Sequence, residues 1–597
     1  MPNAAYLLEE LIECFWVAAV EFGGQGAGSE KTQKGAGVEE ADEKIQVVVE
    51  PRGFVGSGHN VWERIGYNLG MKIMVIKSWS VQAKVVAVLI LAYFVLFANL
   101  GWREYEGLKM QMNDMGNVVQ AIYNTTAGRV MEFSNAYVYD NPVTNRLGGH
   151  ANWIFFLLVP VLALVPDPRV LILVQTAVAG SGMLPLYLLS KKYLPKGWWR
   201  LLVPVLYATS PIIADAVLFD FHALVIAMPL AIWAMYLMLT KKFGWFVVAA
   251  ALLVLCKEDM PLVVAMMGIY WWRVLGEKRK GMGVLAGSLI YFVLMVGVVM
   301  PVLRAGQVSV VEMRYGELGN GIWGVIVGMV TKPGLVARLI LSPEKLAYVL
   351  GLLMSGGFMS LWAPAVVAMA LPSLVINLLS SNSMMYQSYG YYYPAVIMAV
   401  VMVAAVVGLG RLREDKPKKW KMAGGGMLAL GMLLSWLYSP VPGSRVSSRG
   451  EFGVSEHARL FEEVERVVPK EASVSVQNNL GASLAMRRRI ITFPYGVGEA
   501  EFVVLDVADP YEVVRVSPRQ RNFVYITGMS LADYRSQVEA MFGRSDYGVV
   551  HASDGYLVFE KGKTIDSKEA RAMFEGRMRG LEERYQSFTT SYAGDGG

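Results

Sequence analysis

Long apolar runs separated by short basic or Gly/Pro-containing connections dominate the chain from residue 85 to residue 438. They cover Val85 to Leu100, Val170 to Ser190, Leu201 to Leu218, Ala223 to Thr240, Trp245 to Cys256, Met260 to Trp272, Met282 to Leu303, Leu346 to Trp362, Pro364 to Leu379, Pro394 to Gly410 and Met422 to Tyr438. A spanning helix needs ~20 mostly apolar residues, so this pattern predicts about eleven membrane helices. The expected class is a mainly α, polytopic membrane protein.

Charge tests that count, because Lys and Arg should gather on one side of alternating crossings. Lys191, Lys192, Lys196 and Arg200 fall on the same side as Lys241 and Lys242, as Arg273, Lys278, Arg279 and Lys280, and as the run 411–421. The alternation holds only if Trp153 to Val165, an apolar piece broken by Pro160, does not span. It is expected to be an interfacial or re-entrant helix, which makes 101–167 one large outer loop. The basic side is then cytoplasmic.

Two of the runs, Trp245 to Cys256 and Met260 to Trp272, are short and flank Lys257, Glu258 and Asp259. Twelve helical residues rise ~18 Å against a hydrocarbon core of ~30 Å. Three adjacent charges at such a depth should face a cavity; the alternative is a short outer turn in thinned lipid.

The ends read differently. Residues 1–75 hold a Gly- and Glu-rich stretch, and Glu9, Glu10, Glu13 and Glu21 interrupt the apolar segment Tyr6 to Phe22. A disordered or loosely helical cytoplasmic tail is expected, with Met71 or Met74 as an alternative start. The membrane domain is expected over 76–440. Beyond Tyr438 the pattern turns to a helix near Glu456 to Val467, strands at Ser473 to Gln477, Arg489 to Phe493 and Phe502 to Asp506, and a helix near Leu531 to Phe542. Two strands, Gly548 to Ala552 and Gly555 to Glu560, follow, joined at Ser553 and Asp554. Alternating helices and strands predict a small α/β domain over 441–563, extracytoplasmic by the crossing count and accessory or recognition-related in role. A helix and a disordered tail are expected over 564–597.

Composition agrees: 54% of residues are hydrophobic, 17% charged, and the mean hydropathy is +0.40, where soluble domains run at roughly 25% charged. The net charge of +6, spread over short loops, points to no nucleic-acid partner. Cys14 and Cys256 are the only cysteines, which excludes a disulfide framework and a Cys-based zinc site.

The polar residues that could carry chemistry are few. His150 stands where the outer loop enters its apolar helix, and His222 closes the run Phe219-Asp220-Phe221-His222. With Asp114, Asp220, Lys257, Glu258 and Asp259 they form a set on the outer side, with carboxylates for base or metal work and cations for a phosphate. Taken singly, an outer-loop aspartate reads more readily as a solvated residue; it is the convergence of the set that points to a site. Arg304, Arg314, Tyr315 and Glu317 belong to a second long outer loop, where an arginine could clamp a lipid phosphate or anchor a headgroup. Tyr386, Tyr389, Tyr391, Tyr392 and Tyr393 read as an interfacial belt or as a sugar-stacking surface. His551, in a strand, reads as structural.

Together these residues resemble a family. Asn113-Asp114-Met115-Gly116 with Gln120, Asn124 and Gly128, then His150, Pro185-Leu186-Tyr187, Asp220-Phe221-His222, Lys257-Glu258-Asp259 and Arg314-Tyr315-Gly316-Glu317-Leu318-Gly319 resemble the predicted multi-pass membrane proteins called domain of unknown function 2079. The resemblance runs from about Ala83 to Gly562, through Asn478-Asn479-Leu480, Phe493-Pro494 and Asp554-Gly555-Tyr556. That family looks like a branch of the GT-C glycosyltransferases, membrane enzymes that use polyprenyl-phosphate sugars and carry a catalytic carboxylate in the first outer loop.

The resemblance implies a GT-C-like fold and glycosyl transfer at the outer membrane face. Asp114 would be the general base, with Glu258 and Asp259 as further catalytic carboxylates. His150, Asp220, His222, Lys257, Arg314 and Tyr315 would bind substrate or phosphate. The implied partners are membrane lipid and a polyprenyl-phosphate-linked sugar. No cofactor is demanded, and a divalent cation is the one left open. Val119 stands where family members commonly carry a second aspartate, and Tyr392-Tyr393 where a His-Tyr pair is usual. The transferase expectation is an analogy of fold; its alternatives are an ion-coupled transporter or flippase with its site at Lys257-Glu258-Asp259, and a non-catalytic envelope-assembly protein.

Overall fold

The computed structural model describes residues 79–135, 145–304, 310–447, 452–508, 531–563 and 568–594. The expectations for the N-terminal tail, Cys14 and the segment Tyr6 to Phe22 lie outside the described residues. The chain is mainly helical, with a small sheet near its C-terminus.

Among the described residues, four helices are long and apolar enough to cross a membrane: Val81–Glu106, Arg169–Tyr193, Lys278–Arg304 and Ala395–Asp415. Two bent pairs raise the number to six if each is one span. Trp198–Thr209 meets Pro211–Leu218 at 44°, and Gly321–Thr331 meets Pro333–Ile340 at 96°. Proline at each break explains the bends, since it lacks the N–H that would continue the ladder. The remaining apolar runs form shorter helices, among them Trp153–Leu164, Ala223–Leu239, Phe243–Val254 and Pro364–Leu379. Length and composition therefore support four to six crossings, against the eleven runs of the sequence.

Burial separates centre from rim. Ala395–Asp415 is 94% buried over its apolar window and is the central post, while Lys278–Arg304 is 11% buried and presents Ile290, Val298 and Val302 outward. That outer helix packs along Met260–Arg273. The approach rests on Gly268, where a Cβ would lie 2.7 Å from the Leu285 nitrogen.

The C-terminal elements match the expected series: helix Glu456–Val467, β1 (Val474–Val476), β2 (Ile490–Thr492), β3 (Phe502–Asp506), helix Leu531–Phe542, β4 (Tyr547–Ser553) and β5 (Tyr556–Lys561). The sheet order is β2-β1-β3-β5-β4. Its first three strands are parallel and its last two antiparallel. The hairpin turn falls one residue later than expected, on Asp554 and Gly555, both at positive φ (51° and 102°), as a two-residue hairpin turn requires. Ser553 instead ends β4. One face of the sheet closes over Tyr534, Val538, Met541, Phe574 and Met578.

This domain is fastened to the loop that follows the first long helix. Gln120, fully buried, donates to Ser134 Oγ (2.7 Å) and the Arg488 carbonyl (3.1 Å), and Asn135 Oδ1 accepts from the Thr492 amide and hydroxyl (2.9 and 2.8 Å). A domain expected to be accessory is thus hydrogen-bonded into the part of the chain that carries Asp114.

Candidate functional site

Helix Val81–Glu106 stops at Gly107, and five residues later the chain forms a single π-helical turn, Met112–Gly116. Such widened turns are concentrated at functional sites. Asp114 is its middle residue, and its side chain is 30% exposed.

Opposite it, helix Pro211–Leu218 gives way to the turn Phe219 to His222, with Asp220 at φ 41°. One buried amide shapes this turn. Gln175 donates from Nε2 to the carbonyls of Val217 (3.0 Å) and Asp220 (2.8 Å) and accepts the His222 N–H on Oε1 (2.8 Å). The Asp220 carboxylate accepts the Gln111 N–H (3.1 Å), which ties this turn to the approach of the π-turn.

His222 Nδ1 lies 3.1 Å from the Phe219 carbonyl, and Nε2 lies 3.2 Å from Asp114 Oδ1. A carbonyl can only accept, so Nδ1 carries a hydrogen. The Nε2 contact then holds one further proton, on the imidazole or on the carboxyl. Tyr392 stacks on the His222 ring at 3.5 Å between centroids and fixes its plane. Burial pushes the Asp114 carboxyl up, but the hydrogen bond and charge of His222 and the charges of Arg146 and Arg314 outweigh it. The group is held below the usual carboxylate value.

The second cluster sits in the turn between helices Phe243–Val254 and Met260–Arg273. Lys257 Nζ is 3.2 Å from Asp259 Oδ1 and 4.0 Å from Glu258 Oε1. Glu258 meets His150 Nδ1 at 2.9 Å and accepts the Ala151 N–H at 3.2 Å. The strand of loop after His150 is tied down further, since Asn152 donates to the Cys256 carbonyl (2.7 Å) and the Ile154 N–H to that of Leu255 (2.9 Å). Burial raises Glu258, and the charges of His150 and Lys257 reverse that and hold it low. Burial lowers Lys257, and Asp259 and Glu258 reverse that and hold it high. Lys257 and Glu258 therefore stay ionised.

Arg146 and Arg314 join the clusters. Arg146 acts on both Asp114 and Glu258, and Arg314 on both Asp114 and Lys257. Arg314 lies in the last turn of the short helix Val310–Tyr315, with Nη1 3.6 Å from Met385 Sδ and its guanidinium over the Tyr393 ring. Its neighbour Tyr315 donates to the Ile376 carbonyl (3.0 Å). A cavity of about 170 Å³ opens beside them, lined by Arg314, Tyr315, Glu317 and Ser381 on its polar side and by Leu318, Leu339 and Leu379 on its apolar side.

The structure therefore brings Asp114, His222, Lys257 and Arg314 into one charged neighbourhood and pairs His150 with Glu258. Asp220 accepts a backbone N–H, Asp259 lies against Lys257, and Tyr315 lines the cavity. Sequence reasoning missed Arg146, Gln175 and the stacking role of Tyr392. A lone amide in an apolar span was the available signal for Gln175, and an arginine four residues before His150 for Arg146. Among the described residues, no three His, Cys, Asp or Glu side chains gather as a metal-ligand set.

Compared with known families, residues 105–558 match the one described as a predicted membrane protein, DUF2079. No curated protein matches the chain.

Proposed function

As the chain belongs to this DUF2079 family of predicted membrane proteins, we propose that it is a GT-C-like membrane glycosyltransferase that moves a sugar from a polyprenyl phosphate to an acceptor hydroxyl at the outer membrane face. The observation that carries this reading is the Asp114 carboxylate, seated against His222 and flanked by Arg146 and Arg314, with Lys257 beside Arg314. One ionised base within a group of cations suits a reaction in which a hydroxyl loses a proton while a phosphate gains charge.

In this reading Asp114 Oδ2 accepts the acceptor's proton, and the acceptor oxygen attacks the anomeric carbon from the face opposite the lipid phosphate. The carbon–oxygen bond to phosphate breaks with inversion, and its electron pair stays on the phosphate. Arg314, Lys257 and Arg146 stabilise that charge, as preorganised cations do. His222, held by Gln175 and Tyr392, keeps Asp114 ionised and aimed. Glu258 and Asp259, each already engaged by His150 or Lys257, balance the cations. The cavity beside Arg314, half polar and half apolar, suits the junction of a phosphate with its hydrocarbon chain.

The arrangement in the membrane follows from charge. About eleven crossings, counting short helices such as Ala223–Leu239 in thinned or shared bilayer, put the basic loops in the cytoplasm, and the loop 101–167 and the domain 441–563 outside. Release of free polyprenyl phosphate from a panel of polyprenyl-phosphate sugars, incubated with the purified protein in nanodiscs, tests the reading. Release with at least one donor is expected, and none with any donor and acceptor mixture rejects it.

A further inference from the structure

Resting on the reading of Asp114 as the reacting base, we infer that Asn478, from the C-terminal α/β domain, is the positioning residue that sets the π-turn carrying Asp114. The domain is then part of the working site rather than a separate recognition module.

Asn478 is 1% exposed and lies in the short 3-10 turn that follows β1. Its amide grips the π-turn at two points. Oδ1 accepts the Asn113 N–H at 3.1 Å, and Nδ2 donates to Gln111 Oε1 at 3.0 Å. These two residues flank Met112, and Asn113 directly precedes Asp114. The first N–H groups of any helical turn lack an internal partner, so the bond to Asn113 satisfies a donor that a single π-turn leaves open.

The grip is reinforced on either side. The Asn113 side chain accepts from Asn135 Nδ2 (3.0 Å), whose own Oδ1 is bound by Thr492 of β2. Gly481, three residues after Asn478, meets the Met112 side chain so closely that any Cβ would collide with it. Across the turn, the Gln111 N–H is held by Asp220. Asp114 therefore stands on a turn clamped between Asp220 of the helical part and Asn478 of the soluble domain. Small movements of that domain change the direction in which the carboxylate points.

The test uses the full chain in lipid nanodiscs and reads Asp114 directly. A carbodiimide with a small amine modifies protonated carboxyls, and peptide mapping by mass spectrometry gives the pH profile of labelling at Asp114. In the unaltered protein, His222 and the two arginines keep Asp114 resistant to pH values at which exposed carboxyls already react. Asn478→Ala frees the turn from this environment and raises labelling of Asp114 at pH 5 by about tenfold, the change that one pH unit in the profile brings. Gln111→Ala, which removes only the second bond and leaves the domain intact, moves the profile in the same direction by a smaller factor. Asn479→Ala, whose side chain accepts from Gln477 within the domain, leaves it unchanged.

An unaltered Asp114 profile in Asn478→Ala overturns the inference, and so does an unaltered profile in Gln111→Ala if Asn478→Ala does not fold. Sugar transfer is scored separately on the same preparations. A shifted profile in a protein that transfers no sugar leaves the positioning role standing and removes the proposed reaction.

Discussion

In the C-terminal domain, His457 lies between two carboxylates, with Nε2 3.1 Å from Asp506 Oδ2 and Nδ1 2.9 Å from Asp554 Oδ2. Neither oxygen can donate while ionised, so both ring nitrogens carry hydrogens and the imidazole is a cation. Its ring stacks on Tyr556 at 4.3 Å, and Arg577 holds the other oxygen of Asp554 at 2.7 Å. Burial lowers the His457 pKa, but the hydrogen bonds and charges of Asp506 and Asp554 more than reverse it, to about 9 from 6.5. The protonated form is the one that the fold binds. The stabilisation is complete below pH 6.5 and is lost as the pH rises through 9. A rise of that size corresponds to about 3 kcal/mol, and the third of the Asp554 side chain exposed to water trims it to about 2 kcal/mol. Hydrogen exchange of the β4 and β5 peptides, measured by mass spectrometry at pH 6.5 and 9.5 and corrected for intrinsic rates, reads it directly. Exchange should accelerate about thirtyfold at the higher pH, while His457→Gln should exchange fast at both. Equal protection of the unaltered protein at the two pH values would refute the clamp.

Three substitutions in the helical part have equally definite outcomes. Gln175→Leu strands the carbonyls of Val217 and Asp220 and the His222 N–H, so thermal unfolding followed by tryptophan fluorescence should show a loss of about 2 to 4 kcal/mol. Wild-type stability would mean that the turn does not need the amide. Lys257→Met leaves Glu258 and Asp259 without their cation and should cost about 3 to 5 kcal/mol, with part recovered in the double variant Lys257→Met, Asp259→Asn; a double variant no better than the single one contradicts the pairing. Gly268→Val pushes Met260–Arg273 away from its neighbour and should cost about 1 to 3 kcal/mol by the same measurement, whereas a neutral result would show that the two helices do not need this approach.

The distribution of charge made much of this site readable. Asp114, His150, His222, Lys257 and Glu258 stand out because so few ionisable residues interrupt the apolar runs, and the structure gathers them. Their pairings were not readable. The contacts of Asp114 with His222 and of His150 with Glu258 each join residues 108 apart in the chain, and no local periodicity encodes them. Gln175 was hidden for the opposite reason, since a single amide in an apolar helix carries no pattern of its own. Asn478 lay in a domain whose strand alternation is legible while its docking face is not: Gly481 against Met112 is a matter of fit. The number of crossings was less legible, because hydropathy registers apolar length and is blind to bends such as those at Pro211 and Pro333.

Asp114→Asn, assayed for release of polyprenyl phosphate beside the unaltered protein, tests the central claim most directly. The asparagine keeps the volume of the side chain and a hydrogen-bonding group facing His222 but cannot take a proton, so transfer should fall by about 10²- to 10⁴-fold, the range for loss of a general base. The variant should remain folded and membrane-inserted. Turnover equal to that of the unaltered protein would remove Asp114 from the reaction and, with it, the account of the site given above.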